Sequence, residues 1–399
     1  TDNLSDPEIA LPGENFNTLL WSGDDATSRA ITGVGFQSDF SWIKNRSGTG
    51  FHVLFDAVRG VSTSSTAIVL SSNSTLGDPS ENQGHIKTFD SDGFSLRDGT
   101  SGSNPLTAVN KTGQTYVGWN WKGGGAPTAD NSAGAGATPT AGSVKIDGSN
   151  LGSALAGSIA ATRLSANTTS GFSVVSYTGN LTSGATVAHG LSQAPDLAIV
   201  KVTNAARNWL IGSDSLTGTS WEKYLYFTTA AEGDDSSMWN DAAPSSSVFT
   251  LGNNTDINGS SDTYIAYCFH SIEGYSKIGS YEGNLTSGGD GTFIYLGFKP
   301  ALFMVKNITS SYFDTQASDW LLWDNKRGPS LTGPPNYNAN TENLWANQNS
   351  SEASAQGHDI DFLSNGVKMR SSGGSMNETT QSYIYYGVAS HPFKTSNAR

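Results

Sequence analysis

The chain has 399 residues, of which 46 are glycine and only 14% are charged, against about 25% in an ordinary globular protein. Strong helix formers are thin and aromatics reach 10%, which excludes a helical bundle, a coiled coil and a largely disordered chain. The net charge of −13 disfavours nucleic-acid binding, and a single cysteine, Cys268, excludes a disulfide framework and a Cys-based zinc site.

Residues 1–15 read as an N-terminal arm. Their acidic, polar start is not what a secretory signal is expected to look like, and no apolar run in these 399 residues is long enough for a membrane-spanning helix. From residue 16 onward one pattern recurs. Ser176-Tyr177-Thr178-Gly179-Asn180-Leu181-Thr182-Ser183-Gly184 returns as Ser280-Tyr281-Glu282-Gly283-Asn284-Leu285-Thr286-Ser287-Gly288, and Trp21-Ser22-Gly23-Asp24 is a diverged copy. A hydrophobic strand ending in Lys44, Lys201 or Lys306 follows, then a Trp/Leu/Phe strand at Leu54, Trp209 and Trp320. Each copy closes on another strand, beginning at Tyr116, Tyr264 and Tyr383.

Side chains alternate faces along a strand, so Val117, Trp119 and Trp121 share one face, as do Ile265, Tyr267 and Phe269, and Ile384, Tyr386 and Val388. That face is the expected core. The opposite face holds a small-residue slot filled by Asn120, Cys268 or Gly387, which makes Cys268 structural rather than nucleophilic. The pattern predicts an all-β chain of three tandem antiparallel β-sandwiches, of jelly-roll or concanavalin-like type, at 16–124, 171–275 and 276–399. Residues 125–170 read as a Gly/Ala/Thr-rich linker, flexible or extended over 123–142. A short strand is expected at 144–146, and one or two helical turns over 151–164.

Four segments carry a resemblance. They are Phe40-Ser41-Trp42-Ile43-Lys44-Asn45-Arg46-Ser47, Leu54-Phe55-Asp56-Ala57-Val58-Arg59-Gly60, Phe89-Asp90-Ser91-Asp92-Gly93-Phe94 and Tyr264-Ile265-Ala266-Tyr267-Cys268-Phe269-His270. They resemble a repeat domain of virion proteins from marine bacteriophages, especially those of cyanobacteria, over nearly the whole chain after residue 16. The resemblance implies a concanavalin-like or SPRY-like sandwich in a tail-fibre-like or capsid-associated protein. It brings no catalytic residues. The later copies lack the full Asp-Ser-Asp-Gly-Phe stretch, so any role of that stretch belongs to the first copy.

The residues themselves offer little chemistry. Glycoside hydrolysis needs two facing carboxylates, and the nearest match, Asp359-Ile360-Asp361, reads as solvated surface acids. The six histidines form no metal-hydrolase pair. The strand-end lysines read as edge gatekeepers or salt-bridge partners. Asn254, Asp256, Asn258 and Asp262 form a candidate calcium loop, or an ordinary turn. Trp239 stands in a polar loop with Asn240 and Asp241 and has no counterpart in the other copies. It is expected to be exposed and to contact glycan or a neighbouring subunit.

The reading is therefore a non-enzymatic phage particle protein, tail-fibre-like or another appendage. Its expected partners are other virion proteins, further copies of itself as a homotrimer, and host-surface glycan. The alternatives are a capsid-associated decoration protein, a free lectin and a glycan hydrolase.

Overall fold

The computed structural model describes residues 6–62, 67–79, 82–102, 105–228, 230–284, 291–309, 319–328, 339–352 and 357–395. Residues 285–288 of the repeated loop motif and 1–5 of the arm lie outside these. The described residues are almost wholly β, and nearly every strand pair is antiparallel.

The same four-strand order recurs in three sheets. An opening strand (Phe16–Ser22, Phe172–Thr178 or Ser276–Glu282) pairs with the closing strand (Thr115–Trp121, Thr263–Phe269 or Ser382–Pro392). The closing strand pairs with the lysine strand (Phe40–Asn45, Leu197–Val202 or Phe298–Asn307). A flanking strand (His52–Asp56, Leu210–Ser213 or Leu321–Asp324) then pairs with the lysine strand. A smaller sheet covers one face of each, such as Ser28–Thr32, His85–Asp90 and Gly93–Arg97 in unit one.

The opening of each unit is fixed by one repeated device. Trp21 stacks on Tyr116 with ring centroids 5.6 Å apart, Tyr177 on Tyr264 at 5.0 Å, and Tyr281 on Tyr383 at 4.9 Å. The hydroxyl of each closing tyrosine accepts from one backbone N–H and donates to one carbonyl upstream. The donors are Lys111, Gly259 and Glu378, and the acceptors Thr107, Thr255 and Gly374. This closes a tyrosine corner at the same place in each unit. A buried asparagine six residues before that tyrosine (Asn110, Asn258 or Asn377) accepts from the backbone N–H of Asp24, Asn180 or Asn284.

The closing strands explain how the units assemble. The expected core face, Val117/Trp119/Trp121 and its counterparts, does not face the small sheet of its own unit. It faces the other units, in one shared core that includes Phe40, Trp42, Ile199, Tyr267, Met304 and Tyr386. The opposite faces of units one and two are buried too, with Tyr116 in the first unit's own core and Tyr264, Ala266 and Cys268 in the second's. Each large side chain fully buried here contributes roughly 1.5–3 kcal/mol.

Three equivalent backbone bonds show that the contacts run head to tail and close. Asp78 N–H of unit one donates to Thr203 of unit two at 2.6 Å. Glu232 of unit two donates to Ile308 of unit three at 3.1 Å, and Glu352 of unit three to Arg46 of unit one at 2.7 Å. Heterologous contacts that close after three steps make a ring.

The segment after unit one is not a loose linker. The Asp39 carboxylate accepts from Gly123 N at 2.8 Å and Gly125 N at 3.1 Å, while Gly124 N donates to Ser165 Oγ. Val144–Ile146 forms the expected strand, parallel to Ala161–Asn167. Ala161–Asn167 in turn extends the second unit's sheet where helical turns were expected. Leu155, Ile159 and Leu164 serve that unit's core. Spacing alone suggested a helix, but small residues at 152–162 let the backbone lie against the sheet edge instead. The arm also packs: Ile9 joins the shared core.

The repeated glycine of the loop motif has a steric reason. A Cβ on Gly179 would lie 2.4 Å from the Gly259 carbonyl oxygen, and Gly23 and Gly283 face carbonyls equally closely. Gly179→Ala is expected to cost about 1–3 kcal/mol through forced backbone shifts. Gly13→Ala, with open space around it, is the control. Urea denaturation of the two variants checks this, and equal midpoints would refute the steric account.

Candidate functional site

Buried charged groups gather where the units meet. In unit three Asp324 accepts from Arg327 Nε at 2.5 Å, both side chains being fully buried. Asp324 also accepts from Trp119 Nε1 of unit one at 2.9 Å. The Arg327 guanidinium stands 5.4 Å from the Trp119 ring centroid and bonds Glu352, which also pairs with Arg46 of unit one at 2.6 Å. Unit one repeats the arrangement toward unit two. Asp56 pairs with Arg59 at 2.6 Å and accepts from Tyr267 OH at 2.9 Å, and Arg59 reaches Asp78 at 3.0 Å. Burial, with the Asp56 charge beside it, holds the Tyr267 hydroxyl well above its ordinary range. Unit two has Ser213 in place of the aspartate and no equivalent arginine. Its flanking strand still contributes: Trp209 Nε1 donates to Ser71 O of unit one, and Trp320 of unit three repeats this onto Tyr226 O.

The strand-end lysines are not solvated edge gatekeepers, and Lys44 and Lys201 spend their ammonium groups on backbone carbonyls. Lys44, Lys201 and Lys306 are all fully buried. Lys44 Nζ donates to the carbonyls of Asn45 at 2.7 Å, Gly48 at 3.3 Å and Asn349 of unit three at 3.3 Å. Lys201 Nζ donates to Val202 O and Ala205 O. Desolvation pushes Lys44 and Lys306 down to about 7 and Lys201 to about 8. The sequence shows a terminal strand charge, but only the ring buries it.

The ligand-contact residues expected from sequence do not form an open site. Trp239 is 1% exposed, against the expectation of an exposed ring. It ends a one-turn helix, Ser236–Trp239, capped by Asp235, which turns Met238 and Trp239 inward from an otherwise polar loop. There Trp239 packs edge-on to Trp221 with centroids 4.8 Å apart. Asn240 caps the turn in a left-handed conformation and accepts from Ser183 Oγ, and Asp241 is exposed beside it.

The candidate calcium loop is spent on the fold. Asn254 caps the helix Thr255–Asn258 by accepting from Asp256 N. Asp256 accepts from Tyr226 OH, and Asp262 lies 3.8 Å from Arg207. Asn258 is the buried asparagine of the repeated corner, with its amide donating to Thr182 O and Gly252 O. No cluster of His, Cys, Asp or Glu fit to hold a metal occurs among the described residues. Asp361, expected in solvent, is 2% exposed and pairs with Arg370. Cys268 is fully buried, and desolvation raises its thiol to about 12. At the centre of the ring lies a void of about 20 Å³ lined by apolar side chains such as Phe40, Trp119 and Tyr386, room for no more than a water.

Breaking the buried Asp324–Arg327 pair beside Trp119 is expected to be costly. Asp324→Ala takes the nearer carboxylate from the buried Arg327 and the acceptor from the Trp119 indole N–H, and should lose about 3–5 kcal/mol, whereas the Asp324→Leu/Arg327→Met double variant loses less. Comparison of their denaturation midpoints checks this. The lysines give a pH signature. Their folded values lie below the ordinary 10.5, so between about pH 7 and about pH 10 the unfolded chain holds protons that the folded chain lacks. Stability should therefore rise with pH across that window and be lost as pH falls through it. Urea unfolding at about pH 7 and about pH 9 should show the rise, reduced in Lys44→Met. A flat profile in the native chain would refute it.

A family model described as a domain of unknown function (DUF7483) matches residues 11–149 and 147–392. No curated protein and no solved structure matches the chain. The two matched spans take in all three units of the ring, and the chain belongs to the DUF7483 family.

Proposed function

We propose that this chain is a structural protein of the bacteriophage particle surface, in a tail-fibre-like or other appendage, making subunit contacts and contacts with host-surface glycan. One observation carries the reading. The buried polar groups at the seams (Lys44 on Asn349 O, the Asp56–Arg59 pair on Tyr267, the Asp324–Arg327 pair on Trp119) are consumed in holding the units together and converge on no open cleft. That is how a building block uses its polar residues. The likeness of residues 40–47 and 54–60 to phage virion repeats supplies the particle.

A capsid-associated decoration protein is the second reading. The threefold closure lies inside one chain, so the homotrimer expected of fibres is not needed to build the ring. A free lectin or a glycan hydrolase ranks below both.

The test is the particle itself. Phage carrying this gene are purified, washed at high salt, and their proteins identified by mass spectrometry and placed in a density map. The chain on a tail appendage is the expected result. Placement on the head lattice selects the decoration reading, and absence from washed particles overturns both. Reducing ends released from host polysaccharide by the isolated chain would replace them with a hydrolase.

A further inference from the structure

Among the described residues, the aromatic rings that stand exposed share one strand. Phe293 is 43% and Tyr295 54% exposed, while Ile294 between them is buried. The strand Phe293–Tyr295 is the edge of the third unit's smaller sheet and pairs only with Gly366–Met369. Alternate residues project to one side, so both rings lie on its outer face. Bare aromatics on a sheet edge invite unwanted pairing and usually mark a contact site.

Beside Tyr295 opens a cavity of about 360 Å³, at the lower end of the range of ligand clefts. It lies where the start of unit three meets the arm and the last turn of the chain. Glu273, Lys277, Tyr295 and Phe393 line it. Lys277 Nζ donates to Tyr295 O at 2.9 Å and stands 5.3 Å from the Tyr295 ring centroid. It has no carboxylate partner among the described residues, and Glu273 makes neither hydrogen bond nor ion pair there. The neighbouring Lys394 is already tied to Asp6 at 2.7 Å.

We infer that this groove binds a neutral saccharide. A sugar ring offers an apolar face for Tyr295 and hydroxyls that both donate and accept. One ammonium and one carboxylate, each uncommitted to the other, supply the donor and the acceptor that such hydroxyls need. An anionic sugar would meet Glu273 and a chain of net charge −13, and a cationic ligand would meet Lys277. Phe293, two residues along, extends the platform for a second ring. The inference deepens the adhesion reading above and rests on it.

The test uses the full chain on an array of neutral glucose-, galactose- and mannose-based oligosaccharides, with uronate and sulfated oligosaccharides alongside. Hits are confirmed by titration calorimetry. Binding to a neutral oligosaccharide is expected. Tyr295→Ala should weaken it about tenfold or more, as should the Glu273→Gln/Lys277→Met double variant. All these side chains lie at the surface, and unchanged melting temperatures show that the variants fold. No binding, binding to acidic sugars alone, or affinity unaltered by both variants would overturn the inference. These outcomes are separable from the particle test. A chain found on virions that binds no neutral sugar refutes the groove and leaves the particle reading standing. A chain absent from virions that binds through Tyr295 does the reverse.

Discussion

The structure depends on one constraint: the central strands of each unit's main sheet have no face to give to water. An antiparallel sheet commonly packs one face and leaves the other solvated. Here the closing strands of units one and two are buried along both faces, from Val117 to Trp121 and from Tyr264 to Phe269. The small sheet covers only one face. The second is covered by the other two units, and three copies meeting head to tail satisfy all of them at once. The units are thus not beads on a string. Removing one would bare the inner faces of the other two.

Polar groups at the seams give this apolar packing its register. A shared core of aromatic and aliphatic side chains tolerates many relative rotations, because burial has no direction. The Asp324–Arg327 pair with Trp119, the Asp56–Arg59 pair with Tyr267, and the indoles of Trp209 and Trp320 accept few. Each leaves a buried charge or donor unsatisfied if a neighbour slides by one residue. Unit two, with Ser213 at this position, relies on the backbone bond to Ile308 and on Trp320.

The sequence made local pattern legible and left three-dimensional closure hidden. The opening, lysine and closing strands, and even the diverged Trp21 copy, were readable because period-two alternation and a repeated loop are local signals. The face of Val117, Trp119 and Trp121 was correctly read as buried, but nothing local says which neighbour buries it. The lysines misled for the same reason, since a charge at a strand end looks solvated until another unit caps it. Trp239 misled because a single helical turn reverses which residues of a polar loop point inward. The corner asparagines Asn110, Asn258 and Asn377 had a signal that could have found them: a fixed spacing before the closing tyrosine, hidden by the commonness of Asn in this chain. The glycines at 123–125 looked like slack, when their backbone N–H groups are ligands of Asp39 and Ser165.

Fusing three units into one chain has a consequence that a homotrimer does not share. In a homotrimer any surface feature appears three times per ring. Here the inner faces must stay alike, because each touches both neighbours, whereas the outer faces are free to diverge. Unit one keeps a hairpin whose Asp92 holds the N–H groups of Gly33 and Gly35. Unit two closes its sandwich with the Ser236–Trp239 turn, and unit three alone carries the exposed pair Phe293 and Tyr295. A groove present once per ring cannot gain avidity from the ring itself. On the adhesion reading proposed above, strong attachment comes from many copies of the chain held at a spacing that matches the ligand surface. A repeating particle surface supplies that arrangement, and a free monomer does not.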